Sequence, residues 1–256
     1  MNAILDLGKP ITEKGVTTRH VWVSGHAERR VPALILTPES ASAPRPVILL
    51  GHGAGGSKDD PQMLSIARWF VRRERWAVAI IDGPVNGERR SNGNGNVGLE
   101  ARASLINRET YESMAVDWQR TLDACGELPD VGTEHAAYMG FSMGCVLGIP
   151  AVASEPRIRC AVLAIGGILQ HERNFLNEAA ESITRPVLMI NQSEDEIFSR
   201  ASTFRLYDAL RGPKRVIFHP GLHSAVPREA MELARTFLRL ELADAAVPTD
   251  APRGAH

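Results

Sequence analysis

Short apolar runs alternate with longer amphipathic stretches along most of the chain after residue 46. Apolar runs without polar alternation are typical of parallel strands that are buried on both faces of a sheet. The predicted strands of this kind are 47–50, 76–81, 136–139, 160–165, 187–190 and 215–218. The amphipathic stretches predict helices at 61–73, 104–125, 143–153, 169–182, 198–210 and 227–242. This order predicts βαβ units and an α/β fold, with a mostly parallel central sheet and helices on both faces.

The first part of the chain has a different pattern. Two segments of β type, at 17–23 and 31–36, are separated by a polar stretch, which predicts an antiparallel hairpin at one edge of the sheet. With no internal repeat and no interior linker, residues 1–242 are expected to form a single domain. Residues 243–256 are rich in Ala, Pro and Asp, and we expect them to be a flexible C-terminal tail.

Residues 82–103 interrupt the alternation because they combine Gly, Asn and Arg. They predict a long polar loop, and its place after a parallel strand puts it at the carboxyl edge of the sheet, where ligands bind. Within this loop, Asp82 is expected to cap the following turn. Arg89 and Arg90 are most simply solvated, although either guanidinium could bind a substrate carboxylate.

Composition narrows the classes of function. The chain has 29 Lys and Arg against 30 Asp and Glu, a formal net charge of -1, which argues against nucleic acid or an anionic membrane as partner. A small-molecule substrate is therefore expected. No apolar run approaches the ~18 residues that cross a bilayer, and the first ten residues lack a secretory pattern. Three cysteines without C-x-x-C spacing favour reduced thiols in the cytoplasm.

The strongest local motif is Gly-Phe-Ser-Met-Gly at 140–144, a G-x-S-x-G pentad between a predicted strand and a predicted helix. This context is that of a nucleophile elbow, a tight turn that strains the backbone of the central serine. Side chains at the two flanking positions would collide with neighbouring elements, hence glycine. The motif predicts Ser142 as the nucleophile.

With this elbow the chain resembles the α/β-hydrolase superfamily, and within it the dienelactone-hydrolase-like serine esterases, over about residues 31–238. A second motif, Gly-His-Gly-Ala-Gly-Gly at 51–56, is similar to the HG-x motif of these enzymes. The resemblance implies that the backbone N–H groups of Ala54 and Met143 form an oxyanion hole. It also implies that His52 supports its loop rather than acting in catalysis.

The same glycine-rich loop has the glycine spacing of a phosphate-binding loop, and this alternative fails on residue order. A P-loop carries Lys and then Ser or Thr after its second glycine. Here Ser57 precedes Lys58, so nucleotide binding is not expected.

The resemblance also implies the other two members of a triad. Asp195 follows a predicted strand by a short turn, as the family's catalytic acid does, although the turn lacks the usual glycine and leaves Glu194 or Glu196 as possible substitutes. His223 follows the last predicted strand and a glycine turn, where the family's histidine lies, with His219 as its competitor. The order Ser, Asp, His is that of this fold.

Together these residues predict hydrolysis of a carboxylic ester through an acyl-enzyme, with Ser142 as nucleophile, His223 as base and Asp195 as the acid that orients it. No cofactor and no metal are implied. A short or compact acyl group is expected because only 166–185 separates two strands where lid domains are commonly inserted. Alternatives are a dienelactone or lactone hydrolase, which the serine nucleophile disfavours, a thioesterase, a peptidase, or a non-catalytic ligand-binding protein on the same fold.

Overall fold

The computed structural model describes residues 3–40, 43–90, 107–170 and 173–244 of the chain. The strands in these ranges are β1 (Ile4–Leu7), β2 (Ile11–Glu13), β3 (Val16–Ser24), β4 (Arg30–Pro38), β5 (Arg45–Gly51), β6 (Ala77–Ile81), β7 (Val131–Phe141), β8 (Ile158–Ala164), β9 (Val187–Gln192) and β10 (Lys214–His219). The helices are α1 (Pro61–Glu74), α2 (Arg108–Gly126), α3 (Met143–Ser154), α4 (Arg173–Glu181), α5 (Arg200–Ala209) and α6 (Arg228–Asp244).

All of these strands belong to one sheet, in the order β1-β3-β4-β6-β5-β7-β8-β9-β10, with β2 paired to β3. From β6 to β10 every neighbouring pair is parallel, while β1, β2, β3 and β4 pair antiparallel. The predicted α/β fold with a mostly parallel sheet is therefore confirmed.

Two apolar layers cover the sheet, one on each face. On one face the sheet packs against α2, α3, α4 and α5, and on the other against α1 and α6. Strand β6 illustrates the division, because Ala79 and Ile81 contribute to the first layer and Val78 and Ile80 to the second. All four side chains are buried, which explains why the strand has no polar alternation in the sequence.

The predicted elements are present, and their bounds differ for identifiable reasons. Strand β7 begins at Val131 rather than at 136, because its first residues pair with the start of β5 across an irregular register. Helix α5 begins after Ser199, whose side chain accepts a hydrogen bond from the N–H of Ser202. Helix α2 begins after Asn107, which caps it in the same way, and residues 104–106 lie outside the described ranges.

The N-terminal hairpin is present, but its predicted place at the edge of the sheet is wrong. Strands β3 and β4 pair antiparallel over their whole length. However, β1 and β2 both pair with β3 on its outer side. The two strands before residue 14 are only four and three residues long and are largely exposed, and the hydrophobic pattern does not predict them. The predicted tail begins at 243, where α6 continues to Asp244, and the rest of the tail lies outside the described residues.

The chain order places a crevice at the carboxyl edge of the sheet. Strand β5 has β6 on one side and β7 on the other, so the connections that follow β5 and β7 diverge to opposite sides. Ligands bind at such a switch point in open α/β sheets. The glycine-rich loop follows β5, and the predicted elbow follows β7, so both motifs meet at this crevice.

Between β8 and β9, where a lid would be inserted, α4 is the helix that the structure describes. Its apolar face packs into the core through Leu176 and Ala180, which are fully buried. No helix within the described ranges is long and apolar enough to cross a membrane. The three cysteines, Cys125, Cys145 and Cys160, are buried and form no disulfide within the described part of the chain.

Candidate active site

Ser142 lies in a strained turn between β7 and α3. Its backbone has φ 52° and ψ -114°, a conformation that a residue with a side chain rarely adopts and that concentrates at functional sites. The turn closes only with glycine on either side. A Cβ at Gly140 would lie 2.4 Å from the carbonyl oxygen of Gly144, and a Cβ at Gly144 would lie 2.5 Å from the carbonyl of Gly51. The predicted collision of side chains at both positions is thus present.

The first turn of α3 lacks the usual side-chain cap. A serine at this position ordinarily accepts a hydrogen bond from an N–H of the first turn, whereas the Ser142 side chain makes no such bond. Its hydroxyl faces His223 instead. The first N–H groups of a helix have no intrahelical partner and lie at the positive end of its dipole. These donors are therefore left for another acceptor beside Ser142.

Three side chains from three loops form a continuous chain of hydrogen bonds. His223 Nε2 lies 2.8 Å from Ser142 Oγ, and His223 Nδ1 lies 2.8 Å from Asp195 Oδ2. A carboxylate can only accept, so Nδ1 carries the proton and Nε2 is left to accept from the serine hydroxyl. The structure brings the three predicted residues together, and their catalytic roles stay a prediction.

The turn after β9 fixes the carboxylate of Asp195. Its Oδ1 accepts hydrogen bonds of 2.8 Å from the N–H groups of Ile197 and Phe198, which leaves Oδ2 for the imidazole. The ring of Phe198 stacks on that of His223 with 5.8 Å between centroids. The side chain of Asp195 is 1% exposed, so its hydrogen bond to the imidazole is shielded from water and is stronger than the same bond would be in solvent.

The residues weighed as alternatives to the triad have other contacts. Glu194 accepts from the N–H of Gly221, and Glu196 accepts from the backbone N–H of His223 at 2.9 Å, so Asp195 is the carboxylate bonded to the imidazole ring. His219 ends β10, and its Nε2 is buried without a hydrogen-bond partner in the described part of the chain.

His52 joins the glycine-rich loop to the loop after β6. Its Nδ1 donates to the carbonyl of Gly53 at 2.8 Å, and its Nε2 accepts from the N–H of Gly83 at 2.8 Å. Burial lowers the pKa of this imidazole below its ordinary value, which keeps it neutral and able to accept. The predicted supporting role agrees with these contacts.

The predicted oxyanion donors, Ala54 and Met143, belong to two segments that lie next to Ser142. A Cβ at Gly53 would be 3.7 Å from the Cβ of Ser142, so the loop that carries Ala54 runs beside the nucleophile. Met143 is the first residue of α3. The role of the two N–H groups stays a prediction.

A buried ion pair that the sequence does not predict holds the same two loops together. Lys58 Nζ lies 3.2 Å from Asp82 Oδ2, and both side chains are almost fully buried. Asp82 also accepts from the backbone N–H groups of Lys58 and Glu88, so the predicted capping role is present. Burial disfavours the ammonium ion, but the hydrogen bond with Glu88 and the charge of Asp82 outweigh it and raise the pKa of Lys58. A lysine next to a glycine loop gives no sign in the sequence of its distant partner.

The two arginines proposed as substrate ligands differ in their surroundings. Arg89 is not solvated, because its guanidinium lies 2.8 Å from the buried Asp117 and also donates to the carbonyl of Asp82. The structure therefore does not support Arg89 as a ligand for substrate. Arg90 is exposed, and its role stays a prediction. Most of the predicted polar loop lies in 91–103, outside the described residues.

No cluster of three or more His, Cys, Asp or Glu side chains able to hold a metal ion occurs among the residues that the structure describes. The Ser142 hydroxyl and the His223 imidazole lie within hydrogen-bond distance, and the Asp195 carboxylate orients the imidazole, which is the arrangement expected of an activated serine.

The match to a protein family agrees with this geometry. Residues 107–235 match the model of the serine hydrolase (FSH1) family. This stretch is half of the chain and contains Ser142, Asp195 and His223. The chain belongs to the serine hydrolase (FSH1) family, and the predicted class of hydrolase is confirmed.

Solved structures extend the likeness over the whole domain. A cold-adapted esterase from an Arctic intertidal metagenomic library is 27% identical, with a TM-score of 0.79 over 91% of this chain and 97% of the esterase. Acetyl xylan esterase 1 from Thermoanaerobacterium sp. JW/SL YS485 is 18% identical, with a TM-score of 0.74 over 93% of this chain and 87% of that chain. A putative dienelactone hydrolase from Klebsiella pneumoniae subsp. pneumoniae MGH 78578 is 13% identical, with a TM-score of 0.74 over 89% and 98%.

These likenesses carry different weight. The first supports a comparison of function, and the other two show the shared fold alone. A search of curated protein sequences finds no significant match to this chain.

Proposed function

We propose that this serine hydrolase cleaves carboxylic esters with a short or compact acyl group, through a triad of Ser142, His223 and Asp195. The observation that carries the proposal is the hydrogen-bonded chain from Asp195 Oδ2 through the His223 ring to Ser142 Oγ. The family membership and the 27% identical esterase support ester hydrolysis as the reaction.

In the first half of the reaction, His223 Nε2 takes the proton of Ser142 as Oγ attacks the ester carbonyl carbon. The negative charge that develops on the carbonyl oxygen is stabilised by the N–H groups of Ala54 and Met143, a contribution of about 3 kcal/mol for each donor in a comparable protease. Nε2 then gives its proton to the oxygen of the leaving alcohol, and the acyl group stays on Ser142 as an ester.

In the second half, a water molecule replaces the alcohol. His223 Nε2 takes a proton from water, the oxygen of the water attacks the acyl carbon, and the second tetrahedral intermediate collapses with return of the proton to Ser142 Oγ. Asp195 keeps its hydrogen bond to Nδ1 and stabilises the imidazolium that forms in each half. The chemistry uses no group beyond these side chains and the two backbone donors.

The proposed preference for a compact acyl group depends on the polarity of the residues around the entrance to the active site. The apolar face of α4 is used in packing against the core, so its outward residues are polar and include the exposed Glu178 and Glu181. A CH₂ group of a long acyl chain contributes ~0.8 kcal/mol to the free energy of binding only when it is buried. A polar entrance therefore gives a long chain little advantage over a short one. The predicted partner is a small-molecule ester in the cytoplasm.

A series of p-nitrophenyl esters from acetate to palmitate tests the proposal. We expect kcat/KM to be highest for the short acyl chains and to fall towards palmitate, and Ser142→Ala to lose hydrolysis of every member while it keeps the unfolding midpoint of the wild type. Thioesters, lactones and amides assayed in parallel separate the alternative acyl substrates. A kcat/KM that rises steadily to palmitate would overturn the compact-acyl preference, and an active Ser142→Ala would overturn the mechanism.

A further inference from the structure

The loop that presents His223 has little apolar packing of its own. It runs from the end of β10 to the start of α6, and its residues between 220 and 225 are exposed or half-buried. The side chain of Leu222, next to His223, is 58% exposed, and Val226, near the start of α6, is only half-buried against the core. Burial of apolar surface therefore contributes little to the position of this loop, although the imidazole that it carries must meet the hydroxyl of Ser142.

Hydrogen bonds from the turn after β9 hold this loop instead. Glu194 and Glu196, on either side of the catalytic acid, accept from the backbone N–H groups of Gly221 and His223. The backbone of Glu194 adds a bond of 3.2 Å from its N–H to the carbonyl of Gly221. Gln192 donates to the carbonyl of Ala225 at 2.9 Å. The turn and the loop are thus joined on both sides of the imidazole.

The glutamates are well suited to this task. A carboxylate that accepts from a backbone N–H forms a charge-assisted bond, which is about twice as strong as a neutral one. The His223 N–H lowers the pKa of Glu196, and the Ser193 hydroxyl and the Gly221 N–H lower that of Glu194, so these hydrogen bonds favour the ionised form of both glutamates. Each bond ends on the loop backbone, where it constrains the position of His223 without touching the ring.

We propose that Glu194 and Glu196 are positioning residues, which clamp the loop of His223 so that its Nε2 stays within hydrogen-bond distance of Ser142. This inference rests on the proposed function of the triad. It assigns the two carboxylates a role in the rate of the chemical steps rather than in substrate binding. An enzyme loses rate steeply when a catalytic group moves, ~100-fold for a displacement of 1 Å.

The test compares alanine with glutamine at the same positions. Glu196→Ala removes the acceptor, whereas Glu196→Gln removes the charge and keeps an oxygen that can accept from the His223 N–H. We expect Glu196→Ala to lower kcat for p-nitrophenyl acetate ~10-fold with KM within ~2-fold of wild type, because the loop loosens while the substrate contacts remain. Glu196→Gln should recover most of that loss.

Loss of both glutamates should lower kcat further than loss of one. A matched control tests whether the loss of one negative charge is enough to lower kcat. The double variant Glu194→Ala/Glu196→Ala should fall below either single variant in kcat. Glu229→Ala removes an exposed carboxylate from the first turn of α6, changes the net charge equally and should keep wild-type kcat. Urea unfolding of each variant establishes that the compared proteins are equally folded.

Two outcomes would contradict the proposed positioning role of Glu194 and Glu196. One is a wild-type kcat for the double alanine variant. The other is an equal loss for Glu196→Gln and Glu196→Ala, which would make charge rather than the hydrogen bond responsible. Failure of the proposed function is separate, because it would appear as hydrolysis by Ser142→Ala. If Ser142→Ala is inactive and the double alanine variant is fully active, only the positioning role of the two glutamates is contradicted, and the proposed function stands.

Discussion

The turn that carries Ser142 and the loop that carries His223 meet at one hydrogen bond of 2.8 Å, and different forces hold them. The serine turn is buried between the sheet and α3, and backbone atoms packed against Gly140 and Gly144 fix its conformation. The histidine loop lies at the surface, and hydrogen bonds to Glu194 and Glu196 fix its position.

The difference shows where each half of the site is vulnerable. Close packing tolerates no added atoms but is insensitive to solution conditions. Hydrogen bonds at the surface tolerate changes in side-chain volume, but they are lost when the acceptor group is removed. We therefore expect the serine side to respond to changes in side-chain size and the histidine side to respond to loss of an acceptor.

The largest effect should come from the base itself. His223→Ala should lower kcat/KM on the order of 10³-fold or more, because Ser142 loses the group that takes its proton. His219→Ala, at the end of β10, serves as the matched control and should stay within ~3-fold of wild type. Both values are measured with p-nitrophenyl acetate. If His219→Ala is inactive while His223→Ala is active, the base is His219.

The next effect concerns the packing of the serine turn. Gly144→Ala would place a Cβ 2.5 Å from the backbone of Gly51, and overpacking of this kind destabilises by about 1–3 kcal/mol. Gly126→Ala is the control, because its Cβ would meet Thr133 at an ordinary 3.5 Å. Urea unfolding measures both. An unchanged free energy of unfolding for Gly144→Ala would mean that close packing does not fix the turn.

The smallest effect concerns His52 and pH. Its pKa is lowered in the folded protein from an unfolded value near 6.5, so below pH 6.5 the unfolded state binds the proton first and stability is lost as the pH falls. His52→Gln keeps an acceptor for Gly83 and does not titrate. Between pH 7.5 and 5.5, the wild type should lose up to about 1.4 kcal/mol more than this variant. Equal losses in urea unfolding would contradict the prediction.

Local sequence patterns were enough to predict the fold and most residues of the candidate site. The apolar runs predicted the parallel strands because each is buried on both faces, and the elbow was recognisable because its strained turn requires glycine within five residues. The predicted place of the hairpin is wrong because β1 and β2, which are short and largely exposed, pair with the outer side of β3. Short exposed edge strands leave a weak pattern.

Contacts between distant residues could not be predicted in the same way. The pairing of Lys58 with Asp82 and of Arg89 with Asp117 exists only because the loops fold against each other, and the sequence made Arg89 look solvated. Glu194 and Glu196 stood out as acidic neighbours of Asp195, but their contacts depend on the approach of the loop after β10.

Labelling with a serine-directed organophosphonate tests the central claim, that Ser142 is a nucleophile activated by His223. The account predicts that intact mass rises by one phosphonyl group in the wild type, that peptide mapping finds the group on Ser142, and that Ser142→Ala is not labelled. His223→Ala should react far more slowly, because the hydroxyl then lacks its base. A label on a cysteine or on another serine, or equal labelling of Ser142→Ala, would contradict the account.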